Sequence, residues 1–296
     1  MQAGSVVLAT GALQRPRVPD YSAEIPTGVT QLIAGDYRKP AAVAAGKVLI
    51  VGSGETGVQI AEELASAGRD VYLSGGRSWW APRRYRGRDI TAWLRLLGYF
   101  DRLVGDLPRG QRTGKPNPQL TGADGGHDIN PHLLRRSGVT LLGRLKGIEG
   151  GRAFFVDDLA ANVAWGDAQA RDLLASIDRL AADQELQAAV EDWPADLADS
   201  STRSPASIWS APAELDLVAD GVSTVIWATG YRPDFGWVDL PFLDADGHPV
   251  QRRGVTQVPG LYVLGLDWLH TARSGLFAGV GDDASYVASA IVATGA

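Results

Sequence analysis

The chain has 296 residues, 45% of them hydrophobic and 21% charged, and a formal net charge of −6, which is typical of a globular protein and gives no sign of a nucleic-acid-binding surface. It contains no cysteine, so disulfides, thiolate metal sites, cysteine nucleophiles and redox dithiols are excluded. Neither a signal peptide nor an apolar run of about 18 residues is found, and we expect a cytoplasmic protein that binds no membrane and no metal.

The predicted elements alternate between strands and helices, which indicates an α/β fold. A short strand at residues 6–9 precedes a proline-rich connection, and a buried strand at residues 47–51 leads directly into a helix that ends at Gly68. A strand at residues 70–73, a helix at about residues 91–103 and two strands within residues 138–155 follow. Residues 157–190 predict a helical insertion that covers the surface and stays outside the core. Strands near residues 223–228 and 261–266 and a final helix from about residue 279 complete the pattern.

The strongest chemical signal is a GxGxxG motif, GSGETG at residues 52–57, between the buried strand and its helix. The first glycine allows a tight turn, the second lets the backbone approach a pyrophosphate, and the third lets the helix pack closely on the strand. Amides and the positive dipole end at the start of the helix would bind the phosphates. The motif predicts a dinucleotide site formed by Gly52, Ser53, Gly54, Glu55, Thr56 and Gly57, with the Glu55 carboxyl turned to solvent.

The end of the next strand indicates which dinucleotide binds. An NAD site usually places an acid about 20 residues beyond the glycines, where it holds the ribose hydroxyls. This chain has Ser74 and Arg77 there, and a hydroxyl and a guanidinium would bind a 2′-phosphate that a carboxylate would repel. NADP(H) is therefore the predicted cofactor. Arg83 and Arg84 either reinforce this site or lie in a solvated loop.

Two similar segments, VVLATG at residues 6–11 and VIWATG at residues 225–230, each end a strand in an Ala-Thr-Gly turn. Together with VLIVGSGETGVQIAEEL at residues 48–64 and GLYVLGLDWLHTARSGLFAGVGDDASYVA at residues 260–288, they make the chain resemble the NADPH-dependent flavin-containing and Baeyer–Villiger monooxygenases. In that group each such turn is a crossing between two dinucleotide-binding domains. The resemblance covers most of the chain and assigns Thr10, Gly11, Thr229 and Gly230 to the crossings.

The resemblance implies FAD as a second cofactor, with Gly265 and Asp267 beside its pyrophosphate and ribityl chain and Gly279 at the start of a helix near the flavin ring. It implies an enzyme in which NADPH reduces the flavin and a C4a-peroxyflavin transfers oxygen to a small organic substrate. The sequence assigns no catalytic residue. His270, Arg273 and Ser274 are candidates to face flavin or nicotinamide, although a histidine in a turn is often structural. An aromatic set either lines a substrate path or belongs to the core: Trp79, Trp80, Tyr85, Trp93, Tyr99 and Phe100.

The chain departs from that group in three respects. No GxGxxG for the ADP half of FAD precedes residue 6, the Phe-x-Gly-x-x-x-His signature is missing, and the insertion has no assigned role. We therefore expect an N-terminally truncated protein. Its predicted parts are a remnant of the FAD-binding domain at 1–45, a Rossmann-like NADP-binding domain at 46–228 with an insertion at about 151–215, and a returning FAD-binding segment at 229–296. The first and last parts would form an incomplete FAD-type domain.

Two other functions stay open at this point. One is a non-catalytic NADP(H)-binding remnant, or one half of a split flavoprotein, whose exposed flavin-side surface binds the missing half or a second copy of the chain. The other is an NADP-linked dehydrogenase without flavin, although no Tyr-x-x-x-Lys or His-centred constellation supports it. The substrate and the oligomeric state are not determined by the sequence.

Overall fold

The computed structural model describes residues 3–109, 111–114, 117–183, 193–194, 197 and 209–295. Its strands, in chain order, are β1 (Val6–Leu8), β2 (Arg15–Pro16), β3 (Thr30–Ile33), β4 (Lys47–Val51), β5 (Val71–Ser74), β6 (Arg84–Tyr85), β7 (Arg88–Asp89), β8 (Thr140–Leu142), β9 (Leu145–Glu149), β10 (Arg152–Phe155), β11 (Glu214–Asp216), β12 (Val222–Trp227), β13 (Tyr231–Arg232), β14 (Gln251–Arg252), β15 (Val255–Thr256) and β16 (Leu261–Val263). Its α-helices with described bounds are α1 (Glu55–Ser66), α2 (Ile90–Leu96), α3 (Pro131–Arg136), α4 (Leu159–Asp183) and α5 (Val280–Ala293). No helix in this described part is long and apolar enough to span a lipid bilayer.

The chain forms two compact units, and the larger one comprises residues 17–93 and 117–230. Its centre is a five-stranded parallel sheet with the strand order β3-β12-β4-β5-β8. β4 leads through α1 to the neighbouring strand β5, which is the βαβ unit of a mononucleotide-binding fold. This arrangement confirms the predicted α/β, Rossmann-like fold.

The side chains of the central strands alternate between two core layers. In β4, Val48 and Ile50 belong to the layer that contains α1, α3 and the start of α4, whereas Leu49 and Val51 face the antiparallel sheet β11-β10-β9. All four side chains are buried, as expected for a strand covered on both faces. The strand therefore gives the glycine loop, residues 52–57, a rigid support.

The smaller unit lies within residues 1–16, 94–116 and 231–296. β1 pairs in parallel with β16, and the sheet continues antiparallel through β15 to β14. Leu8 of β1 packs in one cluster with Phe235, Phe242 and Val263. The prediction that N- and C-terminal segments join in one domain is thus confirmed.

Two predicted helices differ from the structure. α2 ends at Leu96, and Gly98 follows with a left-handed φ of 67°, so the α-helix does not continue to residue 103 and only a short 3₁₀ turn at Tyr99–Asp101 follows. The insertion is not a surface cover, because α4 buries a face that includes Val163, Leu174 and Ile177. Residues 184–192, 195–196 and 198–208 of the predicted insertion lie outside the described residues.

The boundaries of the two units differ from the predicted domain boundaries. β3 pairs with β12 and lies in the larger unit, although the sequence placed residues 1–45 in the FAD-binding segment. Residues 94–116 lie in the smaller unit, inside the predicted NADP-binding range. β10 and β11 join β9 in one sheet, so both ends of the range 151–215 are part of the fold and not inserted. The assignment of a cofactor to each unit stays a prediction.

Candidate functional site

The glycine loop has the backbone geometry that its motif predicts. Gly52 has a φ of +117°, and a Cβ there would lie 2.2 Å from the carbonyl oxygen of Ala228. A Cβ at Gly57 would lie 1.8 Å from the carbonyl oxygen of Gly52, so helix and loop pack too closely for any side chain. The Cβ position of Gly54, in contrast, has no heavy atom within 4 Å. A ligand can therefore approach the backbone at Gly54.

The amides after this opening are free to bind an anion. Gly54 is the N-cap of α1, and the first backbone bond of the helix runs from the Val58 N–H to the Gly54 carbonyl over 3.1 Å. Within the described residues, the N–H groups of Gly54, Glu55 and Thr56 donate to no protein acceptor. Such groups at the positive end of a twelve-residue helix are the usual protein ligands of a phosphate.

Glu55 adds an acid to this otherwise positive site. It is the first residue of α1, and its side chain is exposed, as the sequence predicted. The protein around the carboxyl nevertheless desolvates it enough to raise its pKa above the ordinary glutamate value. The site is therefore less negative at mildly acidic pH than the sequence suggests.

A buried polar cluster supports the glycine loop from behind. Gln119, which is only 2% exposed, donates from Nε2 to the Ser53 carbonyl over 2.6 Å and to the Ser78 hydroxyl over 3.0 Å. The hydroxyls of Ser53 and Ser78 lie 3.1 Å apart. The Gln119 Oε1 has no partner among the described residues, and the cavity beside it, about 30 Å³, has room for one water molecule. No sequence pattern marks Gln119, because it lies in an irregular stretch.

The end of β5 corrects one part of the predicted phosphate site. Ser74 is 1% exposed, and its hydroxyl donates to the Gly143 carbonyl over 2.8 Å, so it is not available to a ligand. Arg77 is exposed, and its guanidinium lies 6.0 Å from the ring centroid of Trp165. Arg77 makes no ion pair with any residue that the structure describes. Of the two predicted phosphate ligands, only Arg77 is accessible.

Arg83 and Arg84 both serve the fold. Arg83 forms an ion pair with Asp89 over 2.9 Å and donates to the Thr121 carbonyl over 3.2 Å. Arg84 donates to the carbonyls of Gly126 and Gly125 over 2.8 and 2.9 Å. These bonds hold the loop at residues 121–128, so both arginines have structural roles, and a further role as phosphate ligands stays a prediction.

The two Ala-Thr-Gly turns share a left-handed glycine, which explains the repeated sequence. Gly11 has a φ of 74° and Gly230 a φ of 85°. In the smaller unit the Thr10 hydroxyl accepts a bond from the Gln14 side chain, and in the larger unit the Thr229 hydroxyl donates to the Arg17 carbonyl. Each threonine thus fixes a turn, and a role in binding a cofactor stays a prediction for all four residues: Thr10, Gly11, Thr229 and Gly230.

The residues predicted to bind flavin lie in the smaller unit. Gly265 has a φ of 72° and open space at its Cβ position, and burial raises the pKa of the Asp267 carboxyl. Gly279 is the N-cap of α5, and a Cβ there would lie 2.3 Å from the Arg273 carbonyl oxygen. Two acids, Asp282 and Asp283, occupy the first turn of α5 and reduce the positive potential expected there. Flavin binding at these residues remains a prediction.

Most of the remaining candidates have structural roles. Ser274 is fully buried and accepts from the His270 and Thr271 amides over 3.1 and 2.9 Å. Arg273 forms ion pairs with Asp101 and Asp282 over 3.2 and 3.1 Å. The four aromatic candidates of the larger unit are at most 3% exposed and belong to the core, namely Trp79, Trp80, Tyr85 and Trp93. Among the described residues, no cluster of His, Cys, Asp or Glu could hold a metal ion.

Comparison with known proteins identifies relatives along the whole chain. Residues 1–96 match a family described as pyridine nucleotide-disulphide oxidoreductase. A protein of Geobacillus kaustophilus described as an uncharacterized CzcO-like oxidoreductase is 29% identical over 98% of this chain and 65% of its own length. The uncharacterized oxidoreductase CzcO of Bacillus subtilis is 27% identical over 97% of this chain and 64% of its own length. The chain thus spans slightly less than two thirds of these relatives.

A solved structure shows the same fold. The flavin-containing monooxygenase of Stenotrophomonas maltophilia matches 99% of this chain and 63% of its own chain, with a TM-score of 0.55 and 18% identity. The protein therefore has a flavoprotein monooxygenase-like fold and is related to proteins described as oxidoreductases. The resemblance found in the sequence is confirmed at the level of the fold.

Proposed function

We propose that this flavin monooxygenase-like chain is the NADPH-binding part of an FAD-dependent monooxygenase that transfers oxygen from O₂ to a small organic substrate. The glycine loop inside the fold supports the nucleotide half of the proposal. The likeness to the flavin-containing monooxygenase supports the flavin half. Because the chain spans less than two thirds of its relatives, the activity of the whole protein is itself part of the proposal.

The observation that carries the proposal is the start of α1. An open backbone at Gly54 lies beside three amides without protein acceptors, which is the donor set that a pyrophosphate needs. Arg77, exposed after β5, supplies the positive charge that distinguishes a 2′-phosphate from a ribose hydroxyl. The loop and Arg77 would thus bind NADPH and orient its nicotinamide.

FAD, when bound, accepts a hydride from NADPH and reacts with oxygen. The smaller unit offers Gly265, whose backbone is open, and Asp267, whose carboxyl oxygens can accept hydrogen bonds and whose pKa is raised by burial. Such a group suits a polyol such as the ribityl chain. No residue of the chain is assigned a proton-transfer step.

The substitution Gly54→Asp tests the proposal. Gly54 has a φ of −68° and a ψ of −179°, which any residue adopts, and its Cβ position is empty. The new carboxylate would occupy the phosphate position without disturbing the fold. We expect the affinity for NADP⁺, measured by isothermal titration calorimetry, to fall about tenfold or more.

Gly28→Asp is the matched control. Gly28 lies in the same unit, also has no heavy atom within 4 Å of its Cβ position, and is exposed. This variant adds the same charge away from the loop and should bind NADP⁺ as the wild type does. Equal affinities for Gly54→Asp and Gly28→Asp would show that nucleotide does not bind at the start of α1.

A second candidate function follows from the surface of the smaller unit. Val6 and Val7 of β1 are 45% and 38% exposed, and Phe277 is fully exposed. α5 buries only two of its fourteen residues, Asp283 and Val287. These apolar surfaces favour a non-catalytic NADP(H)-binding protein, or half of a split flavoprotein, that another polypeptide or a second copy covers.

A further inference from the structure

A second arginine lies beside the loop that follows β5. β8 is the neighbour of β5 in the parallel sheet, with Ser74 opposite Leu142, so both strands end at the same sheet edge. Arg144 comes two residues after β8, as Arg77 comes three residues after β5. The carboxyl edge of a parallel sheet is where ligands bind in such folds.

The side chain of Arg144 lies against Gly76. A Cβ built on Gly76 would be 3.8 Å from the Arg144 Cδ, which places the aliphatic part of the Arg144 side chain beside the residue that precedes Arg77. The Arg144 side chain is 66% exposed. Its one ion pair in the described part of the chain, from Nε to Asp158 Oδ2, is 3.8 Å long. The two terminal nitrogens of Arg144 are therefore available to a ligand.

The surroundings of Gly76 hold this arrangement in place. The Asn162 side chain donates to the Gly75 carbonyl over 3.4 Å, and the Asp158 carboxylate accepts from the backbone N–H of Arg144 over 3.0 Å. Asp158 also partly offsets the positive charge of Arg144, because its carboxylate faces the guanidinium. Arg77 has no such counter-charge in the described residues. The segments after β5 and β8 therefore present two guanidiniums, and only that of Arg144 is partly neutralised.

We infer that Arg144 acts together with Arg77 as a two-sided site for a phosphate monoester, and that Arg144 is a specificity residue for the 2′-phosphate of NADPH. The inference rests on the proposed nucleotide site. Guanidiniums from two adjacent strand ends can bind different oxygens of one phosphate by charge-assisted hydrogen bonds. A ribose hydroxyl gives neither of them an anionic partner, so the pair selects NADPH over NADH.

The test is a titration of the full chain with NADP⁺ and with NAD⁺. Arg144→Gln should weaken NADP⁺ binding about 5- to 20-fold and change NAD⁺ binding less than about twofold. Arg144→Lys keeps the charge and should restore at least half of the lost discrimination, measured as the change in binding free energy. Lys146→Gln, which removes a positive charge from an exposed position on β9, is the matched control and should leave both affinities unchanged.

The possible outcomes distinguish a failure of this inference from a failure of the proposed function. If the wild type binds NADP⁺ and Arg144→Gln weakens both nucleotides equally, or neither, Arg144 is not a specificity residue. The same conclusion follows if Lys146→Gln has as large an effect as Arg144→Gln. If the wild type binds neither NADP⁺ nor NAD⁺, the proposed function is wrong, and the inference about Arg144 is wrong with it.

Discussion

Glu55 is the residue whose charge most directly opposes the proposed ligand. Its carboxylate at the first position of α1 favours the helix but repels a pyrophosphate. Desolvation raises the pKa of this carboxyl, so a larger fraction is neutral at mildly acidic pH than in an ordinary glutamate. Protonation removes the repulsion and leaves the amides of the loop in place.

We therefore expect Glu55→Gln to bind NADP⁺ roughly 3- to 10-fold more tightly than the wild type at pH about 7.5. This advantage should shrink as pH falls, since protons then neutralise the wild-type carboxyl as the substitution does at every pH. The 2′-phosphate of the ligand titrates in both proteins, so the ratio of the two dissociation constants isolates Glu55. A ratio that does not change with pH would mean that the carboxyl lies away from the bound phosphates.

Single residues near the site also show where sequence reasoning fails. The sequence predicted that the strand after the glycine loop ends at residue 73, but β5 includes Ser74, whose backbone pairs with Leu142. Its side chain is therefore held inside the sheet edge. Arg83 and Arg84 were ambiguous for a related reason, because their partners lie six to 42 positions away in the sequence. Residue type at a strand end is predictable, but side-chain direction depends on distant packing.

At the level of elements, the unit β4, glycine loop and α1 was predictable because its signals are local. An apolar run, three glycines with separate steric reasons and a helical period all fall within residues 47–66. The segment around Gln119 was not predictable, although it fixes the same loop. The side-chain bonds of Gln119 join residues 41 and 66 positions apart, and no periodicity marks them.

Gln119→Leu tests this support. The substitution leaves the Ser53 carbonyl without its buried donor, and we expect a loss of about 1–2 kcal/mol of stability and a roughly 3- to 10-fold weaker binding of NADP⁺. Gln59→Leu is the control, since the Gln59 side chain donates to the neighbouring Leu120 carbonyl over 2.7 Å and, among the described residues, makes no hydrogen bond to the glycine loop. It should lower the melting temperature and leave the affinity unchanged. If both variants keep wild-type affinity, Gln119 supports only the fold.

At the scale of the whole molecule, the two candidate functions differ in what the smaller unit does. Its sheet joins both ends of the chain, and this joining was predicted from the repeated Ala-Thr-Gly turns. The exposed Val6, Val7 and Phe277 were not predictable residue by residue. Exposure of this kind depends on which surfaces the rest of the fold leaves uncovered.

Visible absorbance of the purified chain after incubation with FAD distinguishes the candidates. The monooxygenase proposal predicts protein-bound flavin bands that NADPH bleaches under anaerobic conditions. A colourless chain that still binds NADP⁺ would favour the NADP(H)-binding protein or the split flavoprotein. In that case size-exclusion chromatography of the chain alone shows whether a second copy covers the apolar surface.

The central claim is that the amides at the start of α1 bind the phosphates of a pyridine nucleotide. Amide chemical shifts of the ¹⁵N-labelled full chain during an NADP⁺ titration test it most directly. We predict saturable shifts for Gly54, Glu55 and Thr56, whose amides have no acceptor among the described residues, with the same dissociation constant as calorimetry gives. Unchanged resonances for these three amides, while nucleotide binds elsewhere or not at all, would contradict the account.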